Sequence, residues 1–317
     1  MFISEKPISI FAKFLSGWRA KQTSTSSLIF DCAKLWYQLN QQPMAVNPEI
    51  ANRQHYEVAT EFFKLILGPR LKYSCFIDFN GTAQEAEEKS LSLIAELLDL
   101  KGNEAILDLG CGWGSLSCYL LENFEDIQLT ALTNSKLQAQ FVQEKITSLS
   151  RRAAVLKENF ENFAGGPYDR VVALESLEHL RSWPKALEKI ASLLKPNGVF
   201  VWHFFCTNSK PYIYEVRGPF DWMARNFFSE GLMPSPIFLL LQNFFCVREI
   251  RFYSGLDYAR TADFWIANFK KNYKKILEMM KPSEAFSWFC FLIGVREFFA
   301  YNDGKQFFVT VAKLQKL

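Results

Sequence analysis

Glu175, Glu178 and His179 are the residues of this chain best suited to moving a proton: two acids three positions apart, with an imidazole beside the second. A glutamate attracts a cation, and a histidine with an unperturbed pKa of about 6.5 accepts a proton directly or through water. Such trios also occur at solvated helix starts. Here the trio follows Val171-Val172-Ala173-Leu174, a continuous apolar run of the kind found in strands covered on both faces. Residues just past such a strand face the crevice in which open α/β sheets bind their ligands.

A second grouping lies upstream. Glu104-Ala-Ile-Leu-Asp-Leu-Gly-Cys-Gly-Trp-Gly114 runs from an apolar strand into three glycines at alternate positions and then a helix-like stretch. Glycines there let the backbone bend sharply and approach a ligand closely, while the amides of the following helix start point at it. A dinucleotide site would show G-x-G-x-x-G and an acid about 20 residues on, and a P-loop would end in Gly-Lys-Ser/Thr. The chain has neither. Its second strand ends in Thr133-Asn134-Ser135 with Gln138 following, so hydroxyl and amide groups stand where a dinucleotide site has its acid.

The elements that must position these groups alternate from residue 104 onward. Strands are expected at Ala105 to Leu109, Gln128 to Leu132, Ala153 to Leu156, Arg170 to Leu174 and Gly198 to Phe204. Helices are expected after the first two and from Pro184 to Leu194, which implies a mostly parallel sheet. Residues 1 to about 100 read as helical, with periodic segments at Leu28 to Leu39, Ala59 to Leu67 and Thr82 to Leu100. Cys206 to Asn243 is irregular and rich in Pro and Gly, as a large insertion or lid would be. A strand (Cys246 to Tyr253), two long helices (Thr261 to Met280 and Glu284 to Phe299), a hairpin-like Asn302-Asp303-Gly304 and a closing strand (Phe307 to Ala312) complete the pattern.

Composition removes several function classes. The net charge is +3, from 36 basic and 33 acidic residues, without the basic stripe that nucleic-acid binding needs. Seven cysteines form no CxxC pair and sit in mostly apolar surroundings, so free thiols in a reducing cytoplasm are expected and no metal site is. The N-terminus lacks the charged, apolar and small-residue succession of a signal peptide. No run approaches the roughly 18 apolar residues of a membrane span, and Ile237 to Leu241 is long enough only to touch a membrane surface or line a tunnel. The 31 phenylalanines fit an ordinary core or an aromatic-lined pocket.

Asp108-Leu-Gly-Cys-Gly-Trp-Gly114 followed by Leu132-Thr-Asn-Ser-Lys-Leu-Gln138 resembles the S-adenosylmethionine site of the cyclopropane fatty acid synthase superfamily. Within it, the chain looks most like the coclaurine-type N-methyltransferases. The likeness spans about residues 47 to 313 and includes His55-Tyr56, Tyr73-Ser74-Cys75, Glu175-Ser-Leu-Glu178-His179, Met223-Ala224-Arg225, Met233-Pro-Ser235 and Tyr258-Ala-Arg-Thr261. It implies a class I methyltransferase Rossmann-like fold: a seven-stranded, mostly parallel sheet with helices on both faces. Residues 1–100 would form a helical cover, and 101–317 the Rossmann-like domain with a helical insertion at about 206–243.

By the same resemblance, Tyr73 and Ser74 contact the methionine part of the cofactor. Gly110 and Gly112 let it pack against the backbone, and Asn134 and Gln138 hold the ribose. Asp108, Cys111, Thr133 and Ser135 belong to the same loops. Asn159 and Phe160 take the adenine position, where the family usually has Asp in place of Asn159; Asn keeps an acceptor and loses the charge. Glu175 would attract the acceptor ammonium, His179 take its proton, and Glu178 orient His179 or the substrate nitrogen.

The cyclopropane synthases of the superfamily methylate an alkene and use a pocket-bound bicarbonate. Their pocket residues correspond to Cys75, Glu178, His203 and Tyr258, all present here. Those enzymes usually carry Gly where this chain has Glu175, and they often have an extra residue before Trp183. Both differences favour an amine acceptor, because a buried acid is costly beside an alkene and useful beside a cation. Aromatic residues at Trp202, Phe204, Phe205, Trp222 and Phe227 could add cation–π attraction. The Cys that the superfamily tends to place before the motif resembling Glu297-Phe-Phe-Ala-Tyr301 corresponds to Val295, with Cys290 a turn and a half away.

The leading expectation is therefore an S-adenosylmethionine-dependent methyltransferase acting on a small apolar or aromatic amine. The competing one is lipid cyclopropanation or methylation at a membrane surface, with bicarbonate as auxiliary ligand. A binding protein that keeps the cofactor fold without catalysis is the third. Peripheral membrane contact and a homodimer are compatible with the likeness, and a nucleic-acid partner is not expected.

Overall fold

The apolar runs become the centre of a seven-stranded sheet. The computed structural model describes residues 4–23, 28–46, 60–149, 152–216, 218 and 221–317. Helices α1 (Glu5–Thr23), α2 (Leu28–Asn40), α3 (Thr60–Ile66) and α4 (Ala83–Leu98) come first. The alternating part follows as β1 (Ala105–Leu109), α5 (Ser115–Asn123), β2 (Gln128–Thr133), α6 (Lys136–Thr147), β3 (Ala153–Lys157) and β4 (Tyr168–Leu174). A 3-10 turn at Leu177–His179 then leads to α7 (Trp183–Leu193) and β5 (Leu194–Thr207). The sheet order is β3-β2-β1-β4-β5-β9-β8, with β8 at Phe245–Tyr253 and β9 at Phe307–Lys316. Only β9 runs antiparallel to its neighbours. Val171, Val172 and Ala173 of β4 have no exposed surface, as a central parallel strand requires.

Local sequence explains the helix starts. Thr82 caps α4 and forms a capping box with Glu85. Ser135 caps α6, and Ser182 caps α7 with Pro184 in its first turn. These caps set the helix N-termini at the C-terminal end of the sheet, the side on which the ligand crevice opens.

Between β5 and β8 lies the insertion: a two-stranded ribbon of β6 (Tyr212–Ile213) and β7 (Leu232–Met233), with the short helices α8 (Trp222–Asn226) and α9 (Phe238–Leu241). After β8 come α10 (Gly255–Lys271), α11 (Tyr273–Met279) and α12 (Pro282–Ala300). The single helix expected over Thr261 to Met280 is thus divided at Asn272, whose side chain donates to the Leu65 carbonyl at 2.9 Å. Asn302-Asp303-Gly304 all have positive φ and reverse the chain between helix α12 and β9 rather than between two strands. β5 and β9 are longer than expected. Helix α1 has no counterpart among the periodic segments named above. His55-Tyr56 and the expected helix start at Ala59 lie outside the described residues.

Candidate active site

The cofactor cradle forms where β1 and β2 end. Gly110 and Cys111 donate their N–H groups to the Leu132 carbonyl at 2.9 and 3.0 Å, which binds the glycine loop to the end of β2. Asp108 is buried and accepts from Ser117 Oγ at 2.6 Å; burial, offset in part by that bond, raises its pKa to about 6. The two first glycines of the loop have different tasks. At Gly110 (φ +79°) a Cβ would fall 2.4 Å from the Ser176 Cβ, so the glycine makes room for the loop after β4. At Gly112 (φ +54°) a Cβ would meet nothing within 4 Å and would project into open space.

Thr133 Oγ1 donates to Gln138 Oε1 at 2.8 Å and accepts the Ser135 N–H at 3.2 Å, while Ser135 Oγ accepts the Gln138 N–H at 3.3 Å. These bonds aim Gln138. Its Nε2 and the indole Nε1 of Trp113 are buried with no hydrogen-bond partner among the described residues, and both side chains line the cavity. Tyr73, Ser74, Asn134, Asn159 and Phe160 line it as well. Two unpaired buried donors and an open glycine cradle fit S-adenosylmethionine, which offers hydroxyl and ring-nitrogen acceptors.

Glu175 sits past the end of β4 at φ +48°. Its side chain, 5% exposed, gathers residues from three other parts of the chain. Oε1 accepts the Cys75 N–H at 3.0 Å, and Oε2 accepts the Tyr258 hydroxyl at 2.5 Å. His203 Nε2 lies 3.3 Å from Oε1, close but off the axis of a well-formed hydrogen bond. Burial pushes the Glu175 pKa up, but His203, the Lys72 ammonium and the Tyr258 hydroxyl outweigh it, and the net shift is downward. Burial lowers His203, holding it neutral, and pushes the Cys75 thiol and Tyr258 phenol well above their ordinary values. Cys75 therefore serves this cluster through its N–H rather than as a thiolate.

Glu178 and His179 do not form the pair that their adjacency suggests. The 3-10 turn sends Glu178 toward β5, where Oε1 accepts the Phe205 N–H at 3.0 Å. Its Oε2 is buried without a partner among the described residues, and burial beside Glu175 drives the pKa well above 4.5. Glu178 thus faces the sheet, its charged form disfavoured by burial, and turns away from His179. The His179 ring instead stacks on Phe228, with centroids 5.1 Å apart and planes 7° apart, and faces the cofactor cavity. Desolvation lowers its pKa to about 4.

A family model for mycolic acid cyclopropane synthetase matches residues 45–307. The chain belongs to that family. An (S)-coclaurine N-methyltransferase from Thalictrum flavum subsp. glaucum is 29% identical over 320 residues, covering 94% of this chain and 87% of the relative. Cyclopropane mycolic acid synthase 1 from Mycobacterium tuberculosis is 29% identical over 285 residues, covering 84% of this chain and 98% of that protein. Among solved structures, a coclaurine N-methyltransferase bound to N-methylheliamine and SAH superposes with a TM-score of 0.92 at 24% identity, covering 99% of this chain and 96% of the other. This member of the cyclopropane synthetase family is an S-adenosylmethionine-dependent methyltransferase.

A second cavity, of about 420 Å³ and mainly apolar, lies beyond Tyr258. β5 divides the expected aromatic residues by its alternation. Phe205 faces this cavity, and Trp222 from α8 joins it. Trp202 and Phe204 point to the opposite side of the sheet and pack with Trp183 at 4.3 and 5.5 Å. Phe227 stacks on Phe291 at 4.3 Å. Ile237 to Leu241 is not part of the cavity wall, whereas Cys290 and Val295 both are.

Helix α1 closes the cavity with Ile8, Phe11, Ala12 and Leu15. It is tied down by Ser9 Oγ to Glu297 Oε1 at 2.7 Å and by Glu5 to Arg296 at 2.8 Å and to Lys270. Arg181 fastens the insertion to the 3-10 turn: Nε donates to the Glu230 carbonyl at 3.2 Å, and the guanidinium pairs with Glu215 and Glu230. The alternation of β5 was a usable signal for Phe205 against Trp202. The roles of Arg181, Trp113 and Lys72 depend on long-range packing and had no local signal.

Proposed function

We propose that the protein N-methylates a small apolar or aromatic amine. The observation that carries this reading is the Glu175 carboxylate at the meeting of the two cavities: it lines the cofactor cavity, while Tyr258, bonded to it, lines the apolar one. S-adenosylmethionine, when bound, supplies an electrophilic methyl group on a sulfonium. An amine must meet it as the free base, although in water it is mostly the ammonium. Glu175, held ionised, attracts that ammonium into an apolar chamber where charge is otherwise costly. His179, neutral over the physiological range, is available to accept the proton, and its stacking on Phe228, which lines the apolar cavity, fixes the ring at the edge of the cofactor cavity. Aromatic faces at Phe205, Tyr214 and Phe228 add cation–π attraction.

The relatives named as N-methyltransferases support an amine acceptor. The lipid alternative is weaker for a geometric reason as well. Cys75 N–H, Tyr258 OH and His203, three of the groups that the family likeness assigns to bicarbonate, already surround the carboxylate of Glu175. Free thiols at all seven cysteines support a reducing cytoplasmic setting, and no described helix is long and apolar enough to cross a membrane. The test is mass spectrometry of products from purified protein, S-adenosylmethionine and a panel of aromatic amines and unsaturated phospholipids. One added methyl on an amine, lost in Glu175→Gln, is the expected result. Products confined to the lipid arm would overturn the reading.

A further inference from the structure

Lys72 has no exposed surface, although lysine is normally a surface residue. Its Nζ donates to Ser74 Oγ at 2.6 Å and to the Cys75 carbonyl at 2.5 Å, and lies 5.7 Å from the centroid of Phe76. Its N–H is held by Glu87 Oε1 at 3.0 Å, and Glu87 also takes the Arg70 N–H at 3.1 Å. The two acceptors of Nζ lead in different directions. Ser74 lines the cofactor cavity, and Cys75 grips Glu175 through its own N–H.

Charge adds a second reason to look at this residue. The groups around Glu175 are Cys75 from the loop, His203 from β5, Tyr258 from α10, and Glu178 and His179 from the 3-10 turn. Burial disfavours the charged form of each of these. Lys72 is the basic group among them: burial lowers its pKa, and Glu175, Cys75 and Glu87, which it faces, favour its charged form. A buried ammonium is costly to desolvate, and a well-packed apolar side chain of similar volume is often as stable or more so. Filling space at this position therefore does not call for lysine.

We propose that Lys72 is a positioning residue for methyl transfer: the buried counter-cation that keeps Glu175 ionised, joined through Ser74 and Cys75 to both the cofactor cavity and the carboxylate. This rests on the reading of Glu175 as the group that meets the acceptor ammonium. Lys72→Met removes charge and donors, Lys72→Gln keeps a donor without the charge, and Lys72→Arg restores the cation. Thermal unfolding identifies the folded variants, and Lys72→Gln carries the measurement if Lys72→Met does not fold.

Infrared difference titration follows the protonated carboxyl band of Glu175, assigned by its loss in Glu175→Gln. In the neutral variants the band is expected at a pH higher than in the wild type by about one unit, a tenfold rise in proton affinity, with Lys72→Arg returning it. The acid limb of kcat/KM for the acceptor moves by the same interval. A band and limb unmoved in the neutral variants, whatever the loss of kcat or of cofactor affinity, would make Lys72 a structural peg and overturn the proposal. Absence of amine turnover in the wild type counts against the acceptor reading alone, because the infrared arm does not depend on it.

Discussion

Glu175→Gly separates the carboxylate from the backbone that carries it. At φ +48° a non-glycine residue bears roughly 1–2 kcal/mol of conformational cost, which glycine removes. Against this, Cys75 N–H and Tyr258 OH lose a charged acceptor, each at roughly 1–3 kcal/mol where no water takes its place. The balance is a loss of about 2 kcal/mol, a few degrees in Tm for a chain of this size. Turnover should fall much further, by about 10²- to 10⁴-fold, because the group that draws in the ammonium is gone. The donors that held Glu175 remain, so a small free carboxylate can occupy the same seat. Formate, acetate or bicarbonate near 0.1 M should restore turnover at least about tenfold with saturation, short of wild type because the untethered anion lacks the effective concentration of a fixed one. The assay is amine methylation by Glu175→Gly against carboxylate concentration at constant ionic strength, with chloride as the control. Wild-type turnover without added anion, or a folded variant on which carboxylates act no better than chloride, would refute the assignment of Glu175.

Three further outcomes follow from the geometry. Gly110→Ala should lose about 2–4 kcal/mol through the clash with Ser176 and regain part of it with Ser176→Gly, whereas Gly112→Ala should fold but bind SAH at least about tenfold more weakly, as calorimetry would show. The pKa of His179 is about 4 in the fold against 6.5 when exposed, so its neutral form contributes stability above pH 6.5 that is lost on acidification toward pH 4. Thermal melts of the wild type should accordingly fall relative to His179→Asn across that window and run parallel below it. Arg181→Ala should raise the acceptor KM several-fold and speed proteolysis within 212–233 while leaving SAH affinity unchanged, because it frees the insertion and not the cradle.

The parallel strands and the cradle were legible because their signals are local. An apolar run such as Val171 to Ala173 and a glycine with positive φ are properties of a few neighbouring residues. Helix α1 has no such local signal; Pro7 and Gly17 interrupt its pattern, and its residues acquire their meaning against α12 and the cavity. Glu178 and His179 are neighbours in sequence, but the single 3-10 turn that carries them sends Glu178 to the Phe205 N–H and His179 to Phe228, a divergence that adjacency does not reveal. Lys72 carries no such signal, because a lysine in sequence is normally a surface residue, and only the fold shows that it has nowhere to reach water.

The division into two chambers means that specificity and chemistry can change separately. The wall residues Tyr212, Met223, Phe286, Cys290 and Val295 belong to β6, α8 and α12, outside the parallel strands that build the cradle. If the apolar cavity seats the amine as proposed, substitutions there should reshape what the enzyme accepts and leave the methyl donor's seat intact. A library confined to those five positions is therefore a route to new acceptors on an unaltered catalytic frame.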